Sequence, residues 1–285
     1  MKLKIGTRGS KLALAQTKMV VEMLEKEGHE VEIKIIKTAG DIMKDKPLHE
    51  FKGVGAFVRA IDTALANGEI DVAVHSYKDV PNFRVEGTKI SAVLKRDSPC
   101  DALISRDGKK FDELKQGAKI GTSSLRRKAQ FSRLRGDISF QNLRGNLDTR
   151  LKKLKEGLYD AIIVAETGIQ RLGLKINYQS FSPEVIVPSP NQGIIAVATR
   201  IGEENLVSFM NDEKTWIESQ VERIITKELG FGCAIPFGVY AKVRGERIKV
   251  ICEVLAEKYF RIEDSISKYS ITEALEIARR VRDGR

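Results

Sequence analysis

The chain reads as an α/β protein of more than one domain, and three features of the sequence say so. Short apolar runs rich in Val, Ile and Ala alternate with segments whose apolar residues recur at helical spacing. That alternation occurs twice, and the tail that follows pairs strands with one another instead. At 285 residues the chain exceeds what one compact core usually organises, so two or three domains are expected.

Taken in order, residues 2–7 are expected as the first strand. A helix over 10–27 follows, with Leu12, Ala15, Met19 and Met23 on one face and Gly28 as its stop. Residues 31–37 are a second strand. Gly40 and Pro47 mark a loop, and 56–67 a helix whose buried stripe is Phe57, Ile61, Ala64 and Leu65. The apolar strand 70–75 runs into Ser76-Tyr77-Lys78-Asp79-Val80-Pro81, where the proline calls for a turn. The pattern then repeats, with strand 119–121, helix 125–134 capped by Thr122-Ser123-Ser124, and strand 138–141. Helix 146–156 carries Leu147, Leu151 and Leu154 on one face, and 159–165 is a buried strand. Repeated β-α-β units call for mostly parallel sheets with helices on both faces. Ligands in such sheets bind at the carboxyl ends of the strands. In the tail, 213–229 is a helix, 239–243 and 248–255 a hairpin turned at Gly245, and 271–282 a last helix. The domains expected are 1–95 with 192–212, then 96–191, and a small α+β domain over 213–285, the first two enclosing a cleft.

Lys and Arg outnumber Asp and Glu by 49 to 39, a net charge of +10. Such a surplus suits anionic partners: nucleic acid, acidic lipid, or small molecules rich in carboxylate or phosphate. Aromatic residues are only 6%, with no stacking motif or recognition helix, which argues against nucleic acid. Met1-Lys2-Leu3-Lys4-Ile5-Gly6 is too short and alternating for a signal peptide, and no uncharged apolar run approaches membrane-spanning length. A cytoplasmic protein is expected. Cys100, Cys233 and Cys252 lack CxxC spacing, and His29, His49 and His75 lack ligand spacing. Neither a disulfide framework nor a metal site is expected.

Several strand ends carry chemistry. Gly121-Thr122-Ser123-Ser124-Leu125-Arg126-Arg127 sets a glycine and capping hydroxyls between a strand and a helix, leaving helix N–H groups and two arginines for an anion. An ordinary capped helix with solvated arginines would look the same. Asn142-Leu143-Arg144-Gly145-Asn146 and Thr7-Arg8-Gly9-Ser10 have the same strand-to-helix placement. Together the three describe a cleft for several carboxylates or phosphates. Asp79, beside Lys78 at the end of a buried strand, is placed to stay ionised and face a cationic reaction centre, or simply to cap the turn. His75 reads as packed in the sheet. Gly230-Phe231-Gly232-Cys233-Ala234-Ile235-Pro236 puts one cysteine between small residues in a loop, where its sulfur is accessible, whereas Cys252 lies within a strand and reads as core.

In this order and over the whole length, these motifs resemble the hydroxymethylbilane synthases (porphobilinogen deaminases). Arg171-Leu172-Gly173 and Asn191-Gln192-Gly193 match that family too. The resemblance implies three domains, the first two similar to type II periplasmic binding proteins and the third carrying the cysteine. It implies a dipyrromethane primer joined by a thioether to Cys233. Four porphobilinogens are then added head to tail with loss of ammonia, and water releases the linear tetrapyrrole. It implies Asp79 as the catalytic residue. Lys78, Ser76, Ser123, Arg126, Arg127, Arg144 and Asn146 would hold the primer. Arg8, Ser10, Phe57, Thr122, Ser124, Arg150, Arg171 and Gln192 would hold substrate and growing chain. The family further suggests a monomer, and its substrate is a small molecule. One stretch departs from the pattern: Phe51-Lys52-Gly53-Val54-Gly55-Ala56-Phe57 has Val54 where many members have lysine, with Lys52 two residues earlier. The rival reading is a non-catalytic small-anion binding protein of the same two-domain architecture, which leaves the third domain and Asp79 without a role.

Overall fold

A computed structural model of the chain describes residues 1–38, 55, 58–230, 235–268 and 270–284. Cys233, Phe57, Lys52, Val54 and the loop marked by Gly40 and Pro47 lie outside the described residues. The chain divides into two compact units, Met1–Asp97 with Gly193–Trp216, and Ser98–Gln192 with Ile217–Arg285.

The first unit contains β1 (Lys2–Thr7), α1 (Lys11–Lys26), β2 (Glu30–Ile35), α2 (Arg59–Ala66), β3 (Val72–Ser76) and β4 (Thr88–Val93). The second opens with β5 (Asp101–Ser105), β6 (Lys119–Gly121), α3 (Leu125–Leu134) and β7 (Ser139–Gln141). It continues through α4 (Leu147–Lys155), β8 (Ala161–Ala165), α5 (Glu166–Arg171) and β9 (Gln179–Phe181). The chain then returns to the first unit as β10 (Ile195–Arg200) and passes into α6 (Glu213–Leu229). It ends with β11 (Phe237–Arg244), β12 (Arg247–Leu255), β13 (Tyr259–Ser267) and α7 (Ile271–Asp283).

The sheet of the first unit has the order β2-β1-β3-β10-β4. Its strands alternate between two apolar faces, as the period of a strand buried on both sides requires. Ala73, Ala196 and Ala198 pack with Ile61 and Leu65 of α2, while Val72, Val74, Ile195 and Val197 pack with Val20 and Leu24 of α1. The two helices therefore cover opposite faces. The second unit repeats the plan in the order β7-β6-β8-β5-β9. Leu103, Ile120 and Ile163 meet Phe131 of α3, and Ala102, Ile162 and Val164 meet Leu154 of α4. Phe131 also stands edge-on to Phe111 and Phe181, with ring centroids at 5.3 and 4.8 Å. The same unit holds a third sheet, β11-β12-β13, antiparallel throughout, under α6 and α7.

The sheets differ from the mostly parallel expectation. β1 runs parallel to β2 and β3, and β6 parallel to β7 and β8. β10 runs antiparallel to both its neighbours, and so does β5. A strand buried on both faces has the same apolar composition in either direction, so its sense is not written locally. The tail is a three-stranded meander rather than a hairpin. In β13 only Ile262 and Ile266 are buried, and Arg261, Glu263 and Asp264 hide the strand period.

Candidate active site

In the first unit the site is built at the carboxyl end of β3. Val72, Ala73 and Val74 are buried on both faces, and the chain then turns through a short 3-10 helix, Tyr77–Asp79. Tyr77 is buried as the anchor of that turn, its N–H donating to Ile194 O at 3.0 Å, and Val80 N–H closes the turn on Tyr77 O at 3.0 Å. Lys78 and Asp79, between those anchors, are exposed. Ser76 and Gln16 exchange two hydrogen bonds, Gln16 Nε2 to Ser76 Oγ at 2.9 Å and Ser76 Oγ to Gln16 Oε1 at 3.0 Å. His75 is buried, its Nε2 2.9 Å from Asp62 Oδ1. At the end of β1, Arg8 is half-buried and Ser10 caps α1 by accepting from Ala13 N–H at 3.2 Å. No acidic residue occupies the first turn of α1, so the positive end of its dipole is not neutralised from within the helix.

In the second unit the ends of β6 and β7 supply two loops. Thr122 N–H donates to Gln141 O at 2.9 Å, which continues the β6–β7 pairing into the loop. Thr122 Oγ1 accepts from Ser124 N–H at 3.2 Å, and Ser124 caps α3 by accepting from Arg127 N–H at 3.3 Å. Ser123 is exposed and its hydroxyl donates to Leu143 O at 2.9 Å, tying the two loops together. Gly121 allows this approach: a Cβ there would stand 2.8 Å from Leu143 Cδ2 and 2.9 Å from Tyr159 Cδ1. Gly121→Ala is expected to cost about 1–3 kcal/mol, read from urea unfolding midpoints. On the second loop Gly145 adopts φ +109°, a conformation closed to L side chains. Arg150 Nε donates to its carbonyl at 2.8 Å. Arg144 is half-buried, and its Nη1 has no hydrogen-bond partner among the described residues. Asn146 starts α4 with an exposed side chain that makes no capping bond. Arg171 ends α5 and is half-buried.

Arg126 and Arg127 lie inside the unit, 6% and 7% exposed, gathered around the fully buried Asp101. Arg126 Nη2 meets Asp101 Oδ2 at 2.7 Å, and Arg127 Nε and Nη2 meet Oδ1 at 3.0 and 2.7 Å. Burial pushes the Asp101 carboxyl up, but the two guanidiniums outweigh it and hold the group well below the usual carboxylate range. Gln192, 1% exposed, donates from Nε2 to Pro99 O at 2.7 Å and to Asp101 Oδ1 at 2.9 Å. Arg126 Nη1 also donates to Gln130 Oε1 at 2.9 Å, and Gln130 Nε2 reaches Glu253 of β12. The arginines are therefore held rigidly rather than solvated. Asp101 is absent from the sequence expectations because an acid at the head of an apolar strand gives no local sign of its partners.

Of the two cysteines among the described residues, Cys252 is buried in β12, and burial with the nearby Glu253 pushes its thiol up to about 12. Cys100 is half-buried. Among the described residues no group of His, Cys, Asp and Glu is placed to hold a metal ion, and no helix is long and apolar enough to cross a membrane.

Two protein families match the chain. "Porphobilinogen deaminase, dipyromethane cofactor binding domain" covers residues 3–208, and "Porphobilinogen deaminase, C-terminal domain" covers 216–284. The chain belongs to the porphobilinogen deaminase family. A protein of Archaeoglobus fulgidus named "Probable porphobilinogen deaminase" is 67% identical over 285 residues, 99% of this chain and 98% of that protein. One of the same name from Methanococcoides burtonii is 47% identical over 283 residues, 96% of this chain and 92% of its own. Among solved structures, an arginine transport system periplasmic binding protein from Legionella pneumophila aligns with 74% of this chain and 91% of its own, at 14% identity and a TM-score of 0.42. That likeness is too slight to carry an argument about the site. As a porphobilinogen deaminase the chain is an enzyme, a transferase that joins porphobilinogen molecules head to tail with loss of ammonia and releases the linear tetrapyrrole by hydrolysis. A dipyrromethane cofactor belongs to the matched domain.

Proposed function

We propose that Asp79 is the catalytic residue of this deaminase, that the dipyrromethane is held on Cys233 through a thioether, and that the strand-end arginines guide substrate and product. The observation that carries the reading is the placing of Asp79. Its turn is fixed by the buried Tyr77, yet its carboxylate is exposed beside Lys78. A carboxylate carried on a turn anchored by buried neighbours is placed to oppose a developing cation.

The residues present fit the cofactor, which carries acetate and propionate groups. Arg144 Nη1 has no partner among the described residues, the Asn146 side chain is uncommitted, and the first turn of α3 has no acid. Arg144, Asn146, Ser123, Lys78 and Ser76 would hold those carboxylates by charge-assisted bonds, with Arg126 and Arg127 lending positive charge from their fixed positions on Asp101. When bound, the cofactor supplies the pyrrole carbon to which substrate is joined. Arg8, Ser10, Ser124, Arg150 and Arg171 would hold substrate and growing chain, and Phe57, outside the described residues, would stack on a pyrrole ring. Thr122 and Gln192, expected from the sequence to do the same, are 3% and 1% exposed and would instead brace the loop before α3 and the Asp101 cluster. The Asp79 carboxylate would accept the substrate pyrrole N–H and stabilise the positive charge that develops as the aminomethyl nitrogen leaves as ammonia.

For the thioether, the family resemblance of Gly232-Cys233-Ala234-Ile235-Pro236 points to Cys233. A thiol held near 12 is almost wholly protonated at neutral pH and attacks nothing, which sets Cys252 aside. Cys252 is accordingly expected to resist iodoacetamide at pH 8 in the native protein and to react after unfolding, as peptide mass mapping would show.

We further read the chain as a cytoplasmic monomer with three domains, 1–95 with 192–212, 96–191 and 213–285, acting on a small molecule rather than on nucleic acid. The test of the activity is incubation of the purified protein with porphobilinogen. Stoichiometric ammonia and a linear tetrapyrrole are the expected products. Saturable binding without ammonia would instead favour the small-anion binding protein.

A further inference from the structure

We infer that Asp62 is a positioning residue for this reaction, a buried clamp that holds both ends of the loop bearing Asp79; the inference rests on the assignment of Asp79 as catalytic. Asp62 lies on α2, 1% exposed, among Ile61, Ala64 and Leu65. Its Oδ1 takes His75 Nε2 at 2.9 Å and Arg84 Nη2 at 2.7 Å. A carboxylate only accepts, so both partners donate to it. His75 precedes the 3-10 turn Tyr77–Asp79 and Arg84 follows it, so one oxygen ties the entry of the loop to its exit. The turn bears the exposed Lys78 and Asp79 between these fixed points.

Stability alone gives a poor reason for this arrangement. Burying a carboxylate and a guanidinium costs several kcal/mol per ion before pairing returns it, and apolar residues of like volume usually serve a core as well. What the ionic cluster supplies is direction. His75 and Arg84 are held to one point on a helix that is itself packed against the sheet, which leaves the loop little freedom to carry Asp79 away from its reacting partner. A misplacement of about 1 Å at a reacting group can cost on the order of a hundredfold in rate.

The experiment uses holoenzyme with the primer verified by intact mass and folding by circular dichroism. Asp62→Asn and Arg84→Gln are each combined with Asp79→Asn, and ammonia release is followed in all the variants. Each single clamp variant is expected to lose roughly tenfold in kcat, with KM changed less than about twofold, and to add no further loss in the Asp79→Asn background. Simple loss of folded protein would instead lower the rate of both backgrounds equally. Wild-type kcat in a folded clamp variant, or a loss that multiplies in full with that of Asp79→Asn, would overturn the clamp. Should Asp62→Asn not fold, Arg84→Gln decides alone by the same measures. Normal turnover in Asp79→Asn would remove the catalytic assignment itself, an outcome distinct from failure of the clamp.

Discussion

Asp79→Asn is expected to lower kcat for ammonia release by at least about a hundredfold, with the primer still attached and the fold intact. The magnitude follows from the charge. Removing one preorganised electrostatic partner of a developing charge typically costs on the order of 10²–10³ in rate, and loss of an acid–base group on the order of 10²–10⁴. Asparagine keeps the shape and one acceptor oxygen but not the charge that opposes a cationic pyrrole. The side chain is exposed and closes no core contact, so stability is expected to move by less than about 0.5 kcal/mol. Rate and stability measured on one preparation separate the roles: a large fall in melting temperature with a proportionate loss of activity would mark Asp79 as structural.

Asp101→Asn is expected to act the other way, on stability first. Both guanidiniums around it are buried, and removing the anion leaves them facing each other in the second unit. Breaking a buried ionic cluster by deleting one partner costs roughly 3–5 kcal/mol. The effect has a pH signature. The folded-state carboxyl is held below its unfolded value of about 3.9, so its contribution is complete above that value and is lost as pH falls through the folded value. The gap between wild-type and Asp101→Asn urea midpoints should be constant from pH 6 to 8 and shrink on acidification below about pH 4. A gap independent of pH would assign the loss to packing instead.

The alternation of strands and helices was legible because each element carries its period locally. β1, β6, α3 and α6 fall on the expected residues, and α1 lies one residue inside its expected span at either end, beyond its Ser10 cap. Gly121 and Gly145 were legible only as members of strand-to-helix motifs; the packing against Leu143 and Tyr159 at one and the φ of +109° at the other depend on the folded chain. What the sequence hid depends on contacts distant in the chain. The sense of β5 and β10 is set by where the chain crosses between units, not by their own residues. The partners of Arg126 and Arg127 lie 25 and 26 residues away at Asp101, so a motif that read as open clamps is a buried cluster. Asp62 gave no signal either, since a lone acid on an amphipathic helix ordinarily faces solvent.

The most direct test of the account is the intact mass of the purified protein before and after incubation with porphobilinogen, with peptide mapping across residues 230–236. The account predicts an added mass of two linked pyrroles confined to the peptide with Cys233, absent from Cys233→Ser. No added mass after incubation and no ammonia released, or the added mass on Cys100 or Cys252, would contradict it.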